Sequence, residues 1–254
     1  MSVKDVLAVF YSARQDGIFA VARALRAHAR VRLRALYVTQ LPEPAAPTHG
    51  VDHWAELALQ ARQEADAGRA FLAAQLGDLG AELAHVELSS DAAATVVMRA
   101  ALYSDLTLVE RPHTDFARSL CRSILLHSGR PLIVTPPRWR GKALGRDVQV
   151  QWCDQPACAR ALSAAGFMLE RSKTIAVRTR RPTAVAEDEA EIVLHLRRRA
   201  LRASISIAAG ALSDDPSDCA ADLIVAGAGG DEAVLSRHAE MLLRHAPTPV
   251  LLSH

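Results

Sequence analysis

The stretch "DLIVAGAGGDEAVLSRHAEMLLRHAPTPVLLSH" spans Asp222–His254 and decides the fold. An apolar run, Leu223–Ala226, enters the cluster Gly227-Ala228-Gly229-Gly230, followed by a helical stretch and a second apolar run, Val250–Leu252. Strand, glycine turn, helix and strand are the units of a parallel α/β sheet, and glycines at a strand end let backbone N–H groups approach a phosphate. The same phrase occurs earlier in the chain. DLTLVE (Asp105–Glu110) matches DLIVAG (Asp222–Gly227), and LHSGRPLIV (Leu126–Val134) matches RHAPTPVLL (Arg244–Leu252), about 117 residues apart in one register. His127 then aligns with His245, and Pro131 with Pro249. The starts agree too: Val6–Tyr11 and Val148–Cys153 each precede a stretch carrying Ala-Arg-Ala-Leu, at 22–25 and 159–162. A period of this kind marks a tandem duplication. Proline, glycine and charge displace apolar periodicity in TPPRWRGKALG (Thr135–Gly145), so the expected domains are 1–137 and 138–254.

Within the first repeat, strands are expected at Val6–Tyr11, Val31–Val38, Ala81–Leu88, Leu106–Glu110 and Leu132–Val134. Helices are expected at Ile18–His28, Trp54–Leu79, Ala92–Tyr103 and Phe116–His127, where apolar residues recur at helical spacing. A proline-rich loop, Pro42–Val51, precedes the long second helix and suits a mobile lid. The second repeat follows the same order, with AEDEAEIVLHLRRRA (Ala186–Ala200) in place of that loop and long helix. Alternating elements imply parallel sheets covered on both faces with right-handed crossovers. The apolar final strands, PLIV and PVLL, are candidates to meet, because an unpaired apolar edge invites association.

The bulk composition narrows the function. Half of the 254 residues are apolar, enough for a sizeable core. With 30 basic and 28 acidic residues the net charge is +2, which argues against nucleic acid or an anionic membrane as partner. No stretch reaches the roughly 18 apolar residues of a membrane span, and the first residues lack a leader pattern, so a cytoplasmic setting is expected. Cys121, Cys153, Cys158 and Cys219 lack zinc-site spacing.

Each repeat resembles a universal stress protein domain, and the pair resembles the tandem two-domain members found in bacteria. The resemblance rests on VQVQWCDQPACARAL at the start of the second repeat and on ADLIVAGAGG…LLRHAPTPVLLSH at its end. It implies a five-stranded, Rossmann-like parallel sheet per domain, packed as a pseudo-dimer. Nucleotide-binding members carry an aspartate after strand one, a Gly-x-x-Gly loop after strand four, and a Gly-Ser or Gly-Thr at the next helix start. Here Tyr11 and Cys153 stand at the aspartate position, and Asp154 follows where a glycine belongs. The second repeat keeps Gly227 and Gly230, with Gly229 between them, while Ser236-Arg237 falls near the Gly-Ser position. With Cys153, Asp154 and Val177 these are the remnant nucleotide-binding positions that the resemblance implies. The first repeat has ERPHTDF from Glu110, where an acid and a proline replace the glycines.

Simpler readings compete with each site. The glycines also serve a tight strand-to-helix turn, and Asp231 and Glu232 disfavour a triphosphate there. Gly141-Lys142-Ala143 lacks the rest of a P-loop. His238 and His245 are separated by about 10 Å of helix rise, too far to share a metal. Cys153 and Cys158 read as buried or half-buried thiols, or as a redox sensor. The arginines of Leu194–Arg202 suit a solvated helix end, and no nucleophile triad is legible. The expectation is a non-enzymatic regulatory or sensing module of bacterial stress response, with no metal and no certain cofactor. ATP with magnesium would be held only weakly, and an unknown protein partner or a homodimer is expected. The rival readings are a nucleotide switch or weak ATPase using the second domain alone, and a structural interaction protein.

Overall fold

The computed structural model describes residues 3–28, 30–40, 51–88, 90–141, 143–153, 155–179, 186–199, 203–207, 220–229 and 235–254. The first half runs β1 (Asp5–Phe10), α1 (Asp16–His28), β2 (Arg32–Gln40), α2 (Val51–Gly77), β3 (Glu82–Leu88), α3 (Ser90–Leu102), β4 (Leu106–Glu110), α4 (Asp115–His127) and β5 (Leu132–Thr135). The second half runs β6 (Asp147–Trp152), α5 (Pro156–Leu169), β7 (Thr174–Thr179), α6 (Ala186–Arg199), β8 (Ser204–Ile207), β9 (Leu223–Gly227), α7 (Arg237–His245) and β10 (Val250–Ser253). The proline-rich loop over 41–50 and the stretch 208–219 lie outside the described residues.

The helices form where apolar side chains fall on one face. Ile18, Val21, Ala22 and Leu25 repeat at helical spacing in α1, as do Cys158, Ala161, Leu162, Ala165 and Leu169 in α5, and all are buried. The strands are nearly continuous apolar runs because both sheet faces are covered. One face carries α1, α2, α5 and α6 through Leu25, Leu76, Leu162 and Leu196. The other carries α3, α4 and α7 through Val97, Ile124 and Leu242.

The strands form one sheet in the order β3-β2-β1-β4-β5-β10-β9-β6-β7-β8. Each half has its third, second, first, fourth and fifth strands in that spatial order, so the duplication is written in the topology. It is also written in hydrogen bonds. Asp105 accepts from the backbone N–H groups of Lys4 and Asp5, and Asp222 accepts from those of Gly145, Arg146 and Asp147. In both halves the aspartate before the fourth strand therefore ties down the start of the first.

All pairings are parallel except one. β5 and β10 meet antiparallel, with Leu132 opposite Leu252, Ile133 opposite Leu251 and Val134 opposite Val250. The apolar edges predict that these strands meet, and they do so in a shared ladder that joins two five-stranded sheets into one of ten. The reason is physical: each is an apolar edge with unpaired backbone groups, and pairing satisfies both at once. Arg122 of α4 and Glu240 of α7 close the seam from above with an ion pair of 2.7 Å. The loop expected as a lid lies, over 41–50, outside the described residues, while the long helix α2 packs onto the sheet. Leu72 and Leu76 in its C-terminal half are buried against the sheet, and Gly68 lies where a Cβ would be 2.6 Å from the Tyr37 hydroxyl.

Candidate functional site: two crevices at the sheet reversals

In a sheet with this strand order the winding reverses between the first and fourth strands, and the gap beyond their C-terminal ends is the natural ligand crevice. Here the two crevices open past β1 and β4, and past β6 and β9. Among the described residues, side chains occupy the first and the start of α5 closes on the second.

In the first crevice Tyr11 follows β1 and turns its ring toward the end of β4. Its hydroxyl donates to the carbonyl oxygens of Glu110 and Arg111, at 2.9 and 2.8 Å. The ring packs on that of His113, with centroids 5.6 Å apart. Burial, reinforced by Cys121 and Glu110 nearby, holds the phenol far above its usual ionisation range. Gln15, fully buried just before α1, accepts from the N–H groups of Tyr11 and Ser12. Glu110 points its carboxyl at the first turn of α1, where Gly17 N–H donates to it at 3.3 Å. At 3 % exposure, burial pushes this carboxyl up to about 7, with Asp16 adding to the rise and the Gly17 N–H opposing it. Gly17 has no room for a side chain, because a Cβ would collide with the Pro136 carbonyl oxygen. Thr135 Oγ1 stays buried without a partner among the described residues, at about 1–3 kcal/mol.

In the second crevice the turn between β6 and α5 is two residues shorter than its counterpart, Tyr11 to Gln15 against Cys153 to Gln155. The first turn of α5 is therefore drawn against the glycine loop. A Cβ on Gly227 would lie 2.6 Å from the Cys158 nitrogen and 2.7 Å from its sulfur, and one on Gly229 would lie 2.9 Å from the Ala157 methyl group. Both glycines are thus required by close helix approach. Cys153 and Cys158 face each other with sulfurs 2.7 Å apart. Ser236 is the N-cap of α7: its hydroxyl accepts from Ala239 N–H at 3.2 Å, and its own N–H donates to the Ala228 carbonyl. His238 bonds the Gln151 side chain. The cavity left among Gln151, Cys153, Gln155, Cys158, Gly227 and Gly229 holds about 20 Å³, room for about one water.

The sequence-derived positions divide accordingly. Cys153, Gly227, Gly229 and Ser236 come together around this small cavity. Val177 stands apart, fully buried in the middle of β7 between Val150 and Ile207. Asp154 and Gly230 lie outside the described residues, as do Asp231 and Glu232. Sequence reading did not single out Gln15 and Gln155. They occupy equivalent places immediately before α1 and α5, a match visible once the two helix starts are aligned.

Larger hollows lie in the helical layer beside the crevices. One of about 580 Å³ runs between α1, α2 and Trp139, and one of about 310 Å³ lies between α5 and α6 beside Trp152 and His195. Among the described residues no three potential ligands gather to hold a metal, and no helix is long and apolar enough to cross a membrane.

No family model matches the chain, and no curated protein matches its sequence. Its structure is similar to that of a universal stress protein from Archaeoglobus fulgidus DSM 4304 over 97% of both chains, with a TM-score of 0.64 and 16% identity. It is also similar to the cytoplasmic domain of a prokaryotic cation chloride cotransporter, with a TM-score of 0.53 and 12% identity, over 98% of this chain and 95% of that one. At such identities the likeness establishes the fold, which is that of universal stress proteins, with its strand order repeated along one chain.

Proposed function

From a universal stress protein fold carried twice in one chain, we propose a non-enzymatic regulatory module of bacterial stress response that has given up tight ATP binding. The carrying observation is the closure of both crevices. Tyr11 and Glu110 fill the first, and α5 fills the second down to about 20 Å³. An adenine nucleotide needs several hundred Å³ and donors aimed at its phosphates. Of the donors that a Gly-x-x-Gly loop would offer, the Ala228 N–H is taken by the Ser253 carbonyl oxygen, and the Ser236 hydroxyl serves its own helix. With the net charge of +2, the partner is a protein rather than nucleic acid or an anionic membrane.

Calorimetric titration of the full chain with ATP and magnesium tests this reading. Removing one hydrogen bond to a charged group costs roughly 1.5–3 kcal/mol, so removing two carries a micromolar site to about millimolar. A dissociation constant in the low micromolar range, or ATP co-purifying at one per chain, would favour the nucleotide switch acting through the second half.

A further inference from the structure

The second crevice holds two thiols that neither the fold nor the proposed regulatory role requires. Cys153 leaves β6 and is half exposed; Cys158 lies in the first turn of α5 and is buried. Their sulfurs stand 2.7 Å apart, closer than non-bonded sulfurs rest and a short step from the ~2.05 Å of a disulfide. Three surrounding features give the pair a direction. The half-exposed Cys153 lines the small cavity, so a small oxidant reaches it first. Cys158 is buried beside it, placed to resolve the oxidised sulfur rather than to meet the oxidant first. Gly227 lies against Cys158, where a Cβ would stand 2.7 Å from its sulfur.

We propose that Cys153 and Cys158 form a peroxide-responsive dithiol–disulfide couple. The Cys153 thiolate attacks one oxygen of a hydroperoxide, the O–O bond breaks, and Cys153 becomes a sulfenic acid as water or an alcohol leaves. The Cys158 thiolate then attacks the Cys153 sulfur, expelling the hydroxyl, which takes up a proton and leaves as water. Two thiols lose two electrons, the peroxide gains them, and a small dithiol reverses the change by exchange. The site would take hydrogen peroxide, the smallest hydroperoxide, which meets Cys153 on its half-exposed side. Its readout is the glycine loop, because Gly227 rests on the Cys158 sulfur and the loop continues through the Ala228 carbonyl to the start of α7.

The test is peptide-resolved mass spectrometry of the full chain after equimolar hydrogen peroxide, with remaining thiols alkylated after denaturation. Trypsin releases Asp147–Arg160, which contains both cysteines, so the bridge is internal to one peptide. The expected result is loss of two hydrogens from that peptide, escape of both residues from alkylation, and full recovery with dithiothreitol. In Cys158→Ser a dimedone-trapped sulfenic acid should accumulate at Cys153, and in Cys153→Ser peroxide consumption at this peptide should slow at least tenfold. The proposal is overturned if the wild-type peptide stays reduced while other cysteines oxidise. It is equally overturned if Cys153 proceeds to sulfinic acid without bridging. Because the wild-type reading needs no variant, misfolding of a variant leaves the test intact.

Discussion

The two crevices occupy the same place in the same topology and are closed by opposite means. The first is plugged by large polar side chains: Tyr11 reaches across to the end of β4, and Glu110 occupies the space that a loop glycine would leave. The second is closed by the absence of side chains, since Gly227 and Gly229 allow the first turn of α5 to move in. Residues at a site can therefore match a binding motif while their spacing serves packing. The two closures also differ in cost. The first buries a carboxyl and leaves the Thr135 hydroxyl unpartnered among the described residues, whereas the second brings two thiols together.

The largest expected effect breaks each closure at its tightest point. Gly17→Ala would drive a methyl group into the Pro136 carbonyl, and Gly227→Ala would place one 2.6 Å from the Cys158 nitrogen. Both collisions are with backbone, which cannot swing aside, so each should cost about 3 kcal/mol or more. Gly166→Ala in α5 is the control. Nothing lies within 4 Å of its Cβ position, and the change should stabilise by about 0.5–1 kcal/mol. Urea unfolding of the three variants checks the order. A Gly227→Ala chain as stable as wild type would show that α5 is not pressed on the loop.

How far the sequence announced these features depends on the kind of signal. The repeated DLTLVE and DLIVAG were legible because Asp105 and Asp222 tie equivalent backbone groups in the two halves. The meeting of β5 and β10 was legible because an apolar edge needs a partner; that they share one ladder was not, since periodicity does not say which edges pair. Tyr11 reads as a missing aspartate, but nothing local reveals that its ring spans to a carbonyl about 100 residues away in the chain. The glycines were legible as a turn and ambiguous in purpose. The deciding fact, a two-residue difference between the Tyr11–Gln15 and Cys153–Gln155 turns, becomes meaningful only when the two helix starts are superposed.

The intermediate effect sharpens the comparison through pH. Glu110 titrates near 7 in the folded chain against an ordinary value near 4.5. Between those values the folded state keeps a proton that the unfolded state has released. Its contribution to stability is therefore complete below about 4.5 and disappears as pH rises to about 7, a decrease on the order of 3 kcal/mol. Glu110→Gln removes the titration and keeps an acceptor for Gly17 N–H. The variant should be more stable than wild type at pH 8 by about that amount, and no more stable at pH 4. Denaturation at both values checks it, and parallel curves for the two proteins would mean that the carboxyl is solvated.

The smallest expected effect is a change that motif reasoning would rank first. Cys153→Asp restores the family's aspartate after strand one, and Ser236 already stands at the next helix start. If absent hydrogen bonds were the lesion, one recovered bond to a charged group would strengthen ATP binding about tenfold or more. The geometry predicts otherwise. The aspartate would face a cavity of about 20 Å³, bounded on one side by the α5 turn against which Gly227 and Gly229 are packed. A ribose or phosphate could enter only if α5 moved outward, which would expose Cys158, Ala161, Leu162 and Ala165. At about 25 cal/mol per Å² of apolar surface, that exposure outweighs one hydrogen bond. The dissociation constant for ATP with magnesium should therefore change by less than about threefold. Adding two residues between Cys153 and Gln155, to match the longer Tyr11–Gln15 turn, should be the step that lets the aspartate act. Calorimetry on the single and combined variants separates the cases. A tenfold gain from Cys153→Asp alone would show that the helix yields and that the missing side chain, rather than the short turn, closed this crevice.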